Sequence, residues 1–272
     1  MFFVFLLGSV VGCATIKPSD SNYFAIHSES AALNPKQVEQ IARRLDQAAE
    51  DVSKFLGFSY DFERKGKIYV EIKPGVGVSH TTPDLGIVFY ASAAAQGRVL
   101  VHEVTHIVTG RHEDFFIRHL DAPYMEEKFG SILSFPTCGY SLDLWAAAYL
   151  STNRLVPLDQ MSPNSSDWGY ALDRARKVTY VANPHRQHLS YTVAGSFGKY
   201  LIERYGAGMF KEFHARGFRA WNEVYKKPLK SLEGEWRDNL RALLERETNT
   251  VKSLVSFLST PGPCLAALQS RR

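Results

Sequence analysis

The chain has 272 residues, 45% hydrophobic and 12% aromatic, enough to bury a sizeable core in one large domain or two lobes. Its net charge is +4, and basic runs such as Arg174-Ala175-Arg176-Lys177 and Lys226-Lys227 are scattered through the second half. No stripe interleaves basic and aromatic residues, so nucleic acid is not an expected partner.

Met1 to Val11 is almost entirely apolar and too short to span a bilayer, so residues 1–12 read as a cleaved signal peptide. Val10-Val11-Gly12-Cys13 resembles the lipobox of bacterial lipoproteins. That resemblance implies lipidation of Cys13, export, and a membrane partnership through acyl chains, facing the periplasm or the cell exterior. An ordinary secretory signal is the alternative. Residues 13–22 are expected to be a polar tether and residues 23–272 a single domain. Disulfides persist outside the cytoplasm. With Cys13 assigned to lipid, Cys138 and Cys264 are either bridged or two separate buried thiols.

Asn34-Pro35 opens a helix, with Val38, Ile41, Leu45, Ala48 and Val52 at helical spacing, that ends near Leu56 before Gly57. Lys67 to Ile72 alternates as a half-buried strand. Pro74-Gly75 and Gly77 break it, and Gly86 to Ala91 is a second strand whose edge could pair with an extended peptide. From Gly97 onward helices dominate: Arg98–Thr109, Tyr124–Leu133, Leu142–Leu150, Tyr191–Tyr205, Gly208–Ala215 and Leu232–Glu247. Val156–Trp168 is a loop placed to act as a lid, and Pro184 lies in a second loop running to Leu189. No internal repeat or low-complexity tract is present. The fold class is α+β, with a small mixed lobe (23–96), a helical lobe (97–272), and the Arg98–Thr109 helix at their junction.

That helix carries His102-Glu103-Val104-Thr105-His106. Positions four apart lie on one helix face, so both imidazoles can reach one ion, and zinc accepts histidine nitrogen readily. Glu103 stands beside the first histidine, where it can take a proton from water. The pattern H-E-x-x-H is similar to the zinc-metallopeptidase signature.

A third ligand is needed, because a hydrolytic zinc usually keeps three protein ligands and an open position. His112, six residues after His106, corresponds to the third histidine of metzincins. Tyr124-Met125-Glu126-Glu127-Lys128-Phe129-Gly130 resembles the second motif of gluzincins, the thermolysin-like and aminopeptidase-like zinc enzymes. There a helix brings a glutamate to the metal, and the alignment places Glu127 as that ligand. Adjacent helix residues point about 100° apart, so Glu126 and Glu127 cannot both face the ion. Tyr191-Thr192-Val193-Ala194-Gly195-Ser196-Phe197, with Tyr200-Leu201 after it, and Pro228 to Trp236 resemble two helices of bacterial peptidase-MA-like proteins. The resemblance implies a thermolysin-like fold and a zinc metallopeptidase acting on peptide or protein substrates. It also implies a Zn2+ cofactor held by His102, His106 and Glu127, with Glu103 as general base. Tyr191, with His188 behind it, is the oxyanion donor that it implies. The competing class is a lipoprotein that keeps the fold for binding or structure, without turnover.

Overall fold

Alternating apolar residues build the sheet. In the computed structural model, which describes residues 21–29, 32–110, 112–175, 178–260 and 262–270, strands β1 (Phe24–Ser28) and β2 (Ile68–Lys73) pair in parallel. Phe24, Ile26, Ile68, Val70 and Ile72 are buried, as the two-residue period of a strand with one core face requires. Helix α1 (Pro35–Leu56) links the two strands, since parallel neighbours need a crossover. Its start is capped reciprocally: Gln37 N–H donates to Asn34 Oδ1 (2.9 Å), and Asn34 N–H donates to Gln37 Oε1 (3.0 Å). Gly57, at φ +69°, closes it. The single turn α2 (Phe62–Lys65) leads into β2.

Strands β3 (His80–Thr81) and β4 (Ile87–Tyr90) complete a four-stranded sheet in the order β1-β2-β4-β3. β4 is parallel to β2 and antiparallel to β3. The open edge expected at Gly86–Ala91 is therefore corrected. The segment broken by Pro74-Gly75 and Gly77 folds back, so that Thr81 pairs with Ile87, and β3 becomes the edge.

A turn, α3 (Ala91–Ala94), precedes α4 (Leu100–Val108), all nine residues of which are buried. Then come α5 (Phe115–Arg118), α6 (Ala122–Phe129), α7 (Leu142–Ser151) and a hairpin of β5 (Tyr170–Asp173) with β6 (Val178–Val181). Six further helices follow: α8 (Pro184–Tyr205), α9 (Ala207–Arg216), α10 (Trp221–Tyr225), α11 (Leu229–Arg246), α12 (Thr248–Phe257) and α13 (Pro263–Gln269). The fold is mixed α+β and mainly helical. α4 packs against both α1 and α6, and one apolar core runs from Phe24 to Ala267, so the two expected lobes share it.

Pro184 begins α8 and does not sit in a loop. Asn183 Oδ1 accepts the Arg186 N–H (2.9 Å), and proline at the first helical position loses no hydrogen bond. Within α8, small residues permit close approach. A Cβ on Gly198 would lie 1.6 Å from the Leu120 carbonyl oxygen, and one on Gly195 would lie 2.6 Å from Pro123 Cβ. These two contacts hold the chain just after α5 against α8.

Cys138 and Cys264 are disulfide-bonded, Cα–Cα 5.3 Å, tying the α6–α7 connection to α13. Residues 1–12 and Cys13 lie outside the described residues. The expected tether ends earlier than residue 22. Ser21 Oγ donates to Asp46 Oδ1 (2.7 Å) and Asn22 N–H to Asp46 Oδ2 (2.8 Å), so this end belongs to the fold. No described helix is long and apolar enough to cross a membrane.

Candidate metal centre

The start of α4 is an unusual backbone. Gly97 (φ +67°) is followed by Val99 at φ +56°, a left-handed conformation that a β-branched residue rarely adopts. Glu126 of α6 holds it. The Val99 N–H donates to Glu126 Oε1 (3.1 Å) and the His102 N–H to Glu126 Oε2 (3.0 Å). Ser134 Oγ and the Ser131 N–H donate to Oε1 as well (2.5 and 3.2 Å). A buried carboxylate thus caps a helix whose first N–H groups have no partner within the helix. Gly130 makes room for it, since a Cβ there would sit 2.5 Å from the Glu126 carboxyl carbon.

With the first turn fixed, His102 and His106 project one above the other, ring centroids 4.8 Å apart. A third imidazole meets them. His119 follows α5, a turn capped by Asp114, whose Oδ1 accepts the N–H groups of Phe116 (2.9 Å) and Ile117 (3.2 Å). Its ring lies 4.9 Å from that of His106 and 5.6 Å from that of His102. One ring nitrogen from each residue falls within 4.8 Å of the others, and all three side chains are buried.

The donor set suits a metal. Burial pushes all three imidazoles toward the neutral form, His102 down to about 3, and neutral imidazole is the form that coordinates. His119 Nδ1 is bonded to the Phe115 carbonyl (2.7 Å); as donor there, it leaves the Nε2 lone pair for a ligand bond. The Nδ1 atoms of His102 and His106 are buried and find no hydrogen-bond partner among the described residues. Three histidine nitrogens this close together can hold a metal ion.

That face opens on a cleft of about 420 Å³, which Glu103 also lines. Burial, with the Glu126 charge adding to it, pushes the Glu103 carboxyl up to about 8, while Arg118 and the Thr81 backbone oppose the rise. Edge strand β3 forms one wall. Tyr191 forms another: its ring stacks on His102 (5.8 Å, 24°) and its hydroxyl hydrogen-bonds that of Tyr170 (2.8 Å). Gln187 Nε2 donates to the Tyr170 hydroxyl (2.7 Å). The Val156–Trp168 segment is packed onto the site. The Trp168 ring lies 5.4 Å from His119 and 5.5 Å from Tyr191, and its Nε1 donates to the Ser162 carbonyl (2.8 Å).

The other ligand expectations need correction. Glu127 faces away from the histidines. It accepts from Lys199 Nζ (2.7 Å) and from the Leu142 N–H (2.7 Å) at the start of α7. Lys199 also pairs with Asp143 (3.0 Å), so Glu127 belongs to a junction of α6, α7 and α8. His112 accepts the Asp114 N–H at Nδ1 (3.0 Å) and lies against His214, outside the cluster. His188 does not back Tyr191; it is fixed between the Tyr149 hydroxyl (2.8 Å) and the Pro136 carbonyl (2.9 Å). His119, Tyr170 and Arg118 complete the site and were not among the expected residues. The available signal for His119 was a histidine inside the apolar run Phe115-Phe116-Ile117 and Leu120, where a buried polar ring calls for a partner. The chain matches no family model, no curated protein and no solved structure.

Proposed function

We propose that this chain is a zinc-dependent hydrolase of peptide bonds, with His102, His106 and His119 as the ligands. The observation that carries this reading is the meeting of three buried neutral imidazoles with Glu103 at the base of one cleft. Zinc held there would supply Lewis-acid chemistry, polarising a carbonyl and acidifying water near neutral pH. The chain's own groups do the rest. Glu103 takes the proton of the attacking water on its carboxylate and delivers it to the leaving amine. Tyr191 donates to the developing oxyanion. The Tyr191 hydroxyl is hydrogen-bonded to that of Tyr170, which Gln187 also contacts, so its position beside the histidines is fixed. Edge strand β3 offers backbone groups along which an extended peptide can pair. Glu127 takes no part, so the reading is a three-histidine centre rather than a gluzincin one.

Glu103→Gln is expected to retain zinc and lose about 10²–10⁴ in kcat/KM, the usual range for a general base. The amide cannot accept the proton. Digestion of a peptide library, with metal content measured on the same sample, checks this. A wild type that holds zinc and cleaves nothing would instead favour a peptidase-like binding lipoprotein.

The location proposed is outside the cytoplasm, tethered at Cys13. Val10-Val11-Gly12-Cys13 supports it, and so does the Cys138–Cys264 disulfide, a bond that persists in oxidising compartments. Cys13→Ser is expected to move the protein from the membrane fraction to the soluble one. Unchanged fractionation counts against lipid attachment.

A further inference from the structure

The charged lining of the cleft is lopsided. Among the described residues that line it, Glu103 is the one acid, and its role is the proton. Arg118 and Lys73 are the cations. With zinc bound, the cleft is therefore net positive.

Arg118 is also held in place. Its Nε and Nη2 both donate to the His112 carbonyl (2.9 and 2.6 Å), and its guanidinium carbon lies 5.5 Å from the centre of the Phe115 ring. These contacts, with a carbonyl and a ring, help to fix its orientation. Lys73, at the end of β2, adds a second charge at the cleft with Glu71 3.3 Å from its Nζ. A fixed planar guanidinium fits a carboxylate, while a cationic substrate group there would meet two like charges.

We propose that the cleft selects substrates carrying a carboxylate close to the bond presented to the histidines, and that Arg118, aided by Lys73, recognises it. The inference rests on the peptidase reading for the kind of ligand, but not on turnover. The carboxylate has two sources, an acidic side chain or a free C-terminus.

The test uses the full chain with Glu103→Gln, loaded with zinc, and fluorescent peptides of one length. The central residue is Asp, Asn or Lys, and each peptide is made with a free and an amidated C-terminus. The Asp peptide is expected to bind at least about 10-fold tighter than the Asn peptide, and the Lys peptide weakest, as a charge-assisted contact implies. If the C-terminus is the group recognised, amidation moves affinity by that factor instead. Adding Arg118→Gln should bring the ratio near one, and Arg118→Lys should restore part of it. The lysine variant and melting curves separate recognition from a folding defect. A wild-type cleft that ignores both the central charge and amidation, binds no peptide at all, or keeps its preference without Arg118 would overturn the proposal. Preference in binding without cleavage by the Glu103 protein sinks the hydrolase reading alone. Cleavage without preference sinks the subsite alone.

Discussion

Replacing His119 with alanine is expected to abolish tight zinc binding, as are His102→Ala and His106→Ala, while Glu127→Ala is expected to leave it intact. Two imidazoles on one helix make an incomplete site, because zinc in an enzyme is usually held by three protein ligands. His119 is the residue whose ring nitrogen meets the other two, and its Nδ1 is already engaged by the Phe115 carbonyl. Losing a partner in the outer shell costs zinc affinity about 10–100-fold, so losing a ligand should cost more than that. Glu127 is engaged with Lys199 and the Leu142 N–H. Its removal should loosen the α6–α7–α8 junction by roughly 1–3 kcal/mol, the usual penalty for breaking buried charge-assisted hydrogen bonds, without touching the metal. Chelator-competition titrations on folded variants decide the matter. Loss of zinc from Glu127→Ala with retention by His119→Ala would reverse the ligand assignment.

The two helix histidines were legible because they obey a local rule: side chains four apart share a helix face, whatever the rest of the chain does. The same holds for α1, where Asn34-Pro35, an apolar stripe and Gly57 all act within the helix. His119 obeys no such rule. It reaches the metal site because Asp114 caps a short turn and because Gly198 lets α8 approach the Leu120 carbonyl, two facts that lie 84 residues apart in the chain. Glu126 and Glu127 show the limit of motif alignment. Neighbours on one helix point to different sides, and which side faces α4 depends on packing that a one-dimensional pattern does not contain. The β5–β6 hairpin was missed for a different reason. The sequence between Asp173 and Val178 lacks the Asn-Gly or Asp-Gly pair that marks tight hairpins. Tyr170, which orders the Tyr191 hydroxyl, therefore went unseen. Pro184 misled because proline breaks a helix interior but suits its first position, and only the cap formed by Asn183 distinguishes the two.

Glu126→Ala is expected to be among the most destabilising single changes in the chain, and to weaken zinc binding without removing a ligand. The carboxylate accepts from the N–H groups of Val99, His102 and Ser131 and from the Ser134 hydroxyl. Alanine leaves these donors around a buried void, and Ser134 Oγ, which also accepts the Val99 N–H (3.1 Å), is the nearest substitute. Each stranded donor costs about 1–3 kcal/mol, partly recovered by relaxation, so a total of roughly 3–5 kcal/mol is expected. The Val99 backbone raises the stakes. A left-handed β-branched residue persists only where its surroundings over-determine it, and Glu126 is the main restraint. Once Val99 relaxes toward ordinary helical or extended geometry, the first turn of α4 rotates and His102 moves with it. Zinc affinity should then fall even though all three imidazoles remain, because metal binding and folding of the site are coupled. Glu126→Gln should be intermediate: its carbonyl oxygen accepts from some of the donors, while its amide N–H groups confront the others. Urea titrations with and without zinc measure both effects, and zinc should recover part of the lost stability in each variant. A Glu126→Ala protein within about 1 kcal/mol of wild type, well below the expected total, would show that the carboxylate does not hold the start of α4.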